Sequence, residues 1–468
     1  MIRVFRHYIP ASLLTLGLLE ALVFFAALYG GVALRFPDTD WDVLAATPNQ
    51  IFPIFPKALA YAAIMLSVMT GLGLYQRDFR SRDEQWIRIV AAFALGMVAM
   101  LALFYMLPSL FLGRGAFLLA HGVGFMLVCV IRLTYFGVTS TRRIKRRVLV
   151  LGTGTRAAKV DSLEKQLNGT GGFMVVGYIP TRDGHHFVEK AKLLSDAAPL
   201  CTIAQKHDVD EIVIGVRDRR GGGLPMDDVL ACKLNGIDVI DLPSFFERET
   251  GHVQLQTLNP SWMIFSEGFG QSIWRDRSKR VFDIGSSLFL LVLTSPFIVL
   301  TAALIAVESG RPIFYRQQRV GHAGKSFDVL KFRSMRTDAE KDGKPKWASV
   351  NDDRITRVGR IIRKLRIDEL PQIFNVLRGD MSFVGPRPER PFFVDQLANQ
   401  IPFYTYRHHV KPGITGWAQI RYPYGATVED AIEKVQYDLY YVKNHTMFLD
   451  LVILFQTAQV VLFGKGAR

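Results

Sequence analysis

Four apolar runs dominate the first 140 residues, at 11–34, 51–74, 87–107 and 116–138. Each approaches the ~20 residues a helix needs to cross ~30 Å of hydrocarbon. A chain that opens this way has to place its first third in lipid. The first run is too long, and lacks the small-residue cleavage site, for a signal peptide. Arg3 and Arg6 precede it, and the loop behind it holds one arginine (Arg35) against Asp38, Asp40 and Asp42. The second loop carries Arg77, Arg80 and Arg82, the third only Arg114, and the fourth run ends in Arg142, Arg143, Lys145, Arg146 and Arg147. By the positive-inside rule both ends of a four-helix transmembrane bundle, residues 1–145, face the cytoplasm. Glu20 lies mid-run and reads as a helix–helix hydrogen bond in a bundle with no other buried charge, rather than as an intramembrane site.

Composition agrees. Of 468 residues, 49 % are hydrophobic and 21 % charged, and mean hydropathy is +0.18, against the negative value usual for a soluble enzyme of this size. Disorder and collagen-like order are excluded. The length suits about three domains at ~150 residues each. The net charge of +15 asks for an anionic partner: nucleic acid, anionic lipid or a phosphorylated substrate. Cys129, Cys201 and Cys232 form no C-x-x-C pair, so neither a disulfide framework nor a cysteine zinc site is expected, and the surroundings are reducing.

Residues 146–243 read as an α/β domain. Strand-like runs at 147–151, 173–179, 211–216 and 237–242 alternate with helical stretches at 197–206 and 226–235. That order predicts a parallel, Rossmann-like sheet. Gly152, Gly154 and Ala157 fit G-x-G-x-x-A, whose glycines can bring the backbone close to a pyrophosphate. The strand 175–179 does not end in the acid that would hold a ribose. The domain therefore reads as a degenerate module for regulation or assembly rather than a dinucleotide site. A connecting segment, 244–275, follows.

A fifth apolar run, 281–308, is long enough to span, but Ser295-Pro296 stands at its centre. Proline removes a backbone bond and kinks a helix. Both flanks are basic: Arg275, Arg277, Lys279 and Arg280 before it, and Arg311, Arg316, Arg319 and Lys325 after it. A helix–break–helix that enters the inner leaflet and returns satisfies both facts.

Most of the positive surplus falls from residue 276 onward. Arg354, Arg357, Arg360, Arg363 and Lys364 recur at helical spacing with Ile361, Ile362 and Leu365, a basic amphipathic helix suited to the headgroup plane. No helix-turn-helix, zinc or RNP pattern accompanies the charge, so a nucleic-acid partner is not expected. The helix leads into Asp368 and Glu369, which are read as opening the next helix, with Pro371 in its first turn and Gly379 after its end. Adjacent carboxylates there can simply satisfy the helix dipole. Amid so many arginines they also suit phosphoryl chemistry, one attacking phosphorus and the other holding Mg²⁺. Amide N–H groups and positive charge should keep Asp368 ionised. Arg387, between two prolines, is fixed on a stiff loop and suited to fork a phosphate.

The segment from about 278 to 468 resembles the bacterial sugar transferases, the monotopic polyprenyl-phosphate hexose-1-phosphate transferases. The matching pieces are Lys279-Arg-Val-Phe-Asp283, Ser295-Pro296, Lys331-Phe-Arg-Ser-Met335, Asp368-Glu369-Leu-Pro-Gln372, Gly385-Pro-Arg-Pro-Glu389 and Lys411-Pro-Gly-Ile-Thr-Gly-Trp-Ala-Gln419. With the bundle and the middle domain, the whole chain is similar to the long-form members. The resemblance implies a mostly α, monotopic catalytic domain, 276–468, on the cytoplasmic face of the bacterial inner membrane. It implies transfer of a hexose-1-phosphate from a UDP-sugar to polyprenyl phosphate, with release of UMP, as the first membrane step of exopolysaccharide synthesis. It assigns Asp368 as nucleophile, Glu369 as the Mg²⁺ ligand, Ser295-Pro296 as the re-entrant break and Arg387 as a substrate contact. Lys331 and Arg333, with Asp380, are further candidate substrate contacts. Membrane lipid, a second copy of the chain and downstream glycosyltransferases are the remaining expected partners.

His408 and His409 lack H-E-x-x-H context and are not expected to bind metal. Trp417, Tyr422 and Tyr424 could either stack on uracil or anchor at the interface. The run 447–463, broken by Asp450, Gln456 and Gln459, reads as a surface-lying or packed helix. A membrane-bound nucleotide-sugar dehydratase or epimerase would need Tyr-x-x-x-Lys, and no tyrosine has lysine four residues on. An assembly scaffold would not need the carboxylate pair, Lys-x-Arg and Pro-Arg-Pro together.

Overall fold

A computed structural model describes residues 2–4, 6–38, 52–75, 82–139, 145–167, 172–181, 187–194, 198–216, 224–258, 260–270, 272–336, 354–423, 425 and 427–463. Asp40, Asp42, Arg77, Arg80, Arg142, Arg143 and Tyr424 lie outside them. The chain forms two compact units, Met1–Arg3 with Tyr8–Phe245, and Val4–His7 with Phe246–Arg468.

In the first unit the four apolar runs are helices α1 (Ala11–Arg35), α2 (Ile54–Gly71), α3 (Arg82–Met106) and α4 (Arg114–Thr139). Their shared core contains Phe24, Leu28, Tyr61, Met65, Phe93 and Phe117. Gly31 of α1 lies so close to α4 that a Cβ would fall 2.5 Å from Ala120 N, the small-residue contact that lets membrane helices approach. Glu20 is not a lone buried charge. Arg132 grips it with two bonds, Nε–Oε1 at 2.7 Å and NH2–Oε2 at 2.9 Å, and the Tyr75 hydroxyl donates to the same carboxylate. The expectation of a simple hydrogen bond is thereby corrected to a bidentate ion pair, fully enclosed at 0 % and 2 % exposure. Lys57 is buried as well and donates to the Phe111 carbonyl.

The same unit holds a parallel sheet of β1 (Arg146–Leu151), β2 (Phe173–Ile179), β3 (Glu211–Ile214) and β4 (Asp238–Asp241), in the order β2-β1-β3-β4. Helices α5 (Thr155–Gln166), α6 (Leu200–Lys206) and α7 (Met226–Leu234) connect the strands. The sheet order reverses between β1 and β3, and there Gly152 has φ +116°. A Cβ on it would meet Gly215 backbone at 3.3 Å, so the turn requires glycine. Gly154 caps α5, and Thr153 O between the two glycines accepts from Phe187 N.

The second unit is mostly α, as expected. Its apolar segment is one helix, α8 (Ile273–Ser309), with Pro296 inside. The expected pair of helices flanking a break is replaced by unbroken helical structure through Ser295-Pro296. A physical reason is visible: proline leaves the Val292 carbonyl without its helical donor, and the Ser295 hydroxyl donates to it at 2.9 Å. Five helices, α1 to α4 and α8, are long and apolar enough to cross a membrane among the described residues.

Both ends of α8 are bonded into this unit. Near its start Arg280 donates to the Val376 and Leu377 carbonyls, and Asp283 accepts from Ser382 Oγ and Phe383 N. Near its end Ile305 packs with Phe332 and Ile362, and Glu308 accepts from the Arg357 and Val358 amides. Between them Leu288, Phe289, Val292, Leu293, Phe297 and Leu300 are exposed.

After α8 come the antiparallel hairpin β5 (Phe314–Val320) and β6 (Ser326–Phe332), then helices α9 (Arg357–Lys364) and α10 (Gln372–Arg378). The parallel pair β7 (Ser382–Val384) and β8 (Gly413–Thr415) precedes α11 (Val428–Asn444) and α12 (Met447–Phe463). The core joins Val376, Phe383, Leu439, Tyr440 and Ile453 to Val253, Leu255 and Trp262, so the segment read as a connector contributes side chains to it. Helix α12 is packed, with Leu449, Asp450 and Ile453 buried.

Candidate active site

Helix α9 begins at Thr356, whose Oγ1 accepts from Gly359 N at 2.9 Å. It ends at Leu365, and Arg366 follows in the left-handed region at φ +59°. An L side chain adopts that conformation at a cost of the order of 1–2 kcal/mol, and it turns the chain sharply away from α9. Asp368 and Glu369 fall in the next single turn, a 3₁₀ turn at Ile367–Glu369. They therefore stand ahead of α10 rather than inside its first turn, because Pro371 is the N-cap and α10 starts at Gln372. Gly379 closes α10 at φ +98°, as the spacing predicts.

Strand β6 brings Lys331 to this turn. Its edge is held by Asn375 of α10, whose Oδ1 accepts from Leu330 N at 2.9 Å and whose Nδ2 donates to Asp328 O at 2.8 Å. Lys331 Nζ then reaches Glu369 Oε1 at 2.9 Å, and Arg387 NH2 reaches the same oxygen at 3.2 Å. Four side chains singled out from sequence, Lys331, Asp368, Glu369 and Arg387, thus share one site.

Their electrostatics divide the two carboxylates. Burial raises the Glu369 carboxyl, but Arg387, Lys331 and Arg366 outweigh it and hold it far below the usual carboxylate range. Burial, and then the charge of Glu369, raise Asp368 against the pull of Lys331, Arg363 and Arg366. The expectation that nearby cations favour the Asp368 anion is corrected in direction: desolvation and the adjacent carboxylate win. Burial also lowers the Lys331 ammonium.

Other expected residues lie elsewhere. Arg333 is buried, and its NH2 donates to Ser309 O, Ser309 Oγ and Gly310 O, closing the end of α8 instead of facing the carboxylates. Asp380 lies past the far end of α10, 3.9 Å from Arg378. Trp417 neither stacks on a base nor anchors at an interface. It is buried, donates from Nε1 to Gly251 O and stacks on Tyr440. Tyr422 donates to Asp430. Two contributors were missed: Asn375, one turn into the helix that follows the carboxylates, and Arg407, beside the histidines noted above. No local motif marked Arg407, because its partner Asp438 lies on α11.

Among the described residues no three His, Cys, Asp or Glu side chains cluster as a metal centre. Asp368 and Glu369 nevertheless offer hard oxygens on one turn, and the two cations on Glu369 both contact Oε1. Mg²⁺ commonly takes one or two carboxylates and completes its octahedron with water and substrate phosphate, so the donor set fits that ion.

Comparison with known proteins gives the following. A family described as bacterial sugar transferase matches residues 274–464, and one described as CoA-binding domain matches residues 71–217. The chain is 42 % identical over 261 residues to a UDP-N-acetylgalactosamine-undecaprenyl-phosphate N-acetylgalactosaminephosphotransferase of Aeromonas hydrophila, covering 55 % of this chain and 60 % of that one. It is 34 % identical over 339 residues to an undecaprenyl-phosphate glucose phosphotransferase of Komagataeibacter xylinus, covering 70 % and 61 %. An uncharacterized sugar transferase of Bacillus subtilis is 46 % identical over 194 residues, 41 % of this chain and 90 % of that one. The chain spans about three fifths of the length of the first two relatives.

Proposed function

The chain belongs to the bacterial sugar transferase family, and from that premise we propose that it moves a hexose-1-phosphate from a UDP-sugar to a polyprenyl phosphate. The observation that carries the reading is the site itself: Asp368 beside a Glu369 whose Oε1 is bound by Lys331 and Arg387. The printed names of the Aeromonas and Komagataeibacter relatives, both undecaprenyl-phosphate sugar phosphotransferases, support the same acceptor.

The reaction takes two displacements. An Asp368 carboxylate oxygen bonds to the β-phosphorus of the UDP-sugar, the bond from that phosphorus to the bridging oxygen breaks, and UMP leaves with the electron pair. A phosphate oxygen of the lipid then bonds to the same phosphorus, the aspartyl–phosphorus bond breaks, and the carboxylate is restored. Arg387 can fork a diphosphate oxygen pair, and Lys331 can lend a point charge, as each is released from Glu369. Glu369, with Asp368 beside it, would hold Mg²⁺. Bound there, the ion supplies charge neutralisation to the diphosphate.

Placement supports this chemistry. An aqueous diphosphate and a lipid phosphate have to meet at one plane. Helix α8 exposes an apolar middle while both its ends are bonded to the unit that carries the carboxylates. We place that unit at the cytoplasmic face of the bacterial inner membrane, with the apolar middle of α8 set into the inner leaflet and both its ends on the cytoplasmic side, and the product at the start of exopolysaccharide synthesis.

The test is UMP release by purified full-length protein with undecaprenyl phosphate and Mg²⁺ against UDP-glucose, UDP-galactose and UDP-N-acetylgalactosamine. Release with one or more donors, absent in Asp368→Asn, is the expected result. No release with any donor contradicts the reading.

A further inference from the structure

Four consecutive carbonyls in the loop that carries Arg387 are each held by a different donor. Pro386 O accepts from Gly413 N at 3.0 Å, and Arg387 O accepts from Arg407 NH2 at 2.9 Å. Pro388 O accepts from Arg319 NH1 at 3.2 Å, and Glu389 O from Val320 N at 2.9 Å. Pro386 and Pro388 have no N–H to offer, so the loop is attached to the rest of the unit through its carbonyls.

The donor at Arg387 itself is an enclosed charge. Arg407 is 5 % exposed and Asp438 2 %. Asp438, on α11, binds the Arg407 guanidinium at 2.7 Å, and the Tyr404 hydroxyl accepts from its NH1 at 2.9 Å. Glu389 and Lys434 are the other charged groups facing Asp438. A buried charge held this way keeps a fixed place, because losing either partner leaves the other uncompensated. The chain of contact runs from α11 through Asp438 and Arg407 to the backbone of Arg387. From there the Arg387 side chain reaches Glu369 at 3.2 Å. Among the described residues Arg407 forms no hydrogen bond or ion pair with Asp368 or Glu369.

We infer that Arg407, clamped by Asp438, is a positioning residue that sets where the Arg387 guanidinium meets the diphosphate of the donor. This rests on the transfer reaction proposed above. A displacement of about 1 Å at a catalytic contact can cost on the order of 10²-fold in rate, so a residue that never touches substrate can still govern turnover.

The experiment is a double-mutant cycle on full-length protein in lipid nanodiscs, read by UMP release and thermal midpoint. Arg407→Lys keeps the charge and loses the two-pronged geometry. It should lower kcat roughly 10- to 100-fold, with a smaller change in KM for the UDP-sugar. In an Arg387→Ala background the same change should cost less than about twofold, because its route of action is gone. A general structural role would instead lower activity by the same factor in both backgrounds, and that result overturns the inference. So does an Arg407→Lys protein with wild-type kcat. If Arg407→Lys does not fold, Arg319→Gln releases the neighbouring Pro388 carbonyl from a half-buried site and decides the matter. A smaller loss of kcat, again absent in the Arg387→Ala background, supports loop positioning, and unchanged or additive effects overturn it. Wild-type protein that releases no UMP overturns the transfer reaction, and this inference with it.

Discussion

Lys331 Nζ stands 2.9 Å from Glu369 Oε1, and it arrives there from a strand whose edge is held by Asn375, six residues after that glutamate. The carboxylate turn and the lysine strand are thus locked together by the first turn of α10. Lys331→Met removes one of the two cations bonded to the largely enclosed Glu369 carboxylate, and Lys331→Arg keeps the charge. We expect turnover to fall roughly 10²-fold in the methionine variant and to recover partly in the arginine variant. Steady-state UMP release measures both. Equal activity in all three proteins would leave Lys331 with no part in the site.

The topology of α8 can be read from the outside of intact cells. Arg277, near the start of α8, and Lys325, beyond its end, are exposed. Single cysteines at those positions, with Cys129, Cys201 and Cys232 replaced, should both resist an impermeant thiol reagent until the cells are opened. Labelling of the 325 site alone in intact cells would mean that α8 crosses the membrane.

The Glu20–Arg132 pair should dominate the stability of the helical bundle. Removing one partner leaves a buried charge uncompensated, at a typical cost of about 3–5 kcal/mol. Glu20→Gln should therefore lower the thermal midpoint sharply. Adding Arg132→Met should restore much of the loss, since an apolar pair of similar volume carries no desolvation cost. Thermal melts of the three proteins in one detergent check this, and an additive double variant would argue against a coupled pair.

Four histidines of the second unit sit where the neutral ring is favoured, His445 buried and His7, His252 and His408 partly so. Burial lowers His7, His252 and His408 to about 4, and His445 to about 3, from an ordinary value of 6.5. Above pH 6.5 neither the folded nor the unfolded chain protonates them, so their contribution is fully present. Between 6.5 and about 4 the unfolded chain takes up protons that the folded unit refuses, and stability falls with pH. Each such group contributes a slope of about 1.4 kcal/mol per pH unit. His252→Phe should flatten the fall in thermal midpoint between pH 6.5 and 5, and an unchanged slope would show that His252 does not contribute to it.

Local pattern carried much of the architecture, and long-range pairing carried what was missed. The four apolar runs and the β-α alternation are properties of consecutive residues, and the helices and the parallel sheet follow them. Arg132 passed unremarked inside an apolar run because its partner Glu20 is 112 residues away. At the site, Asp368 and Glu369 share a turn, whereas Arg387 returns to Glu369 from 18 residues on, past α10 and β7, and was legible through its place between two prolines. Lys331 and Arg333 have the two-residue spacing of one strand face, which argues for a shared role. But β6 ends at Phe332, and past that end Arg333 turns to cap α8. By type Trp417 suited either base stacking or interface anchoring, yet its indole is buried against Tyr440. Ser295-Pro296 was read as a break because proline forbids one hydrogen bond, and the serine hydroxyl supplies a replacement to the same carbonyl.

The most direct measurement of the central claim is covalent labelling of the protein by UDP-sugar carrying ³²P in the β-phosphate, with Mg²⁺ and no lipid acceptor. The double displacement predicts that wild-type protein takes up label in a hydroxylamine-sensitive bond, releases UMP in equal amount, and gives the label up to polyprenyl phosphate when it is added. Asp368→Asn should take up none. Wild-type protein that never labels, and releases UMP only when the lipid phosphate is present, would contradict the aspartyl intermediate and show that the two substrates react directly.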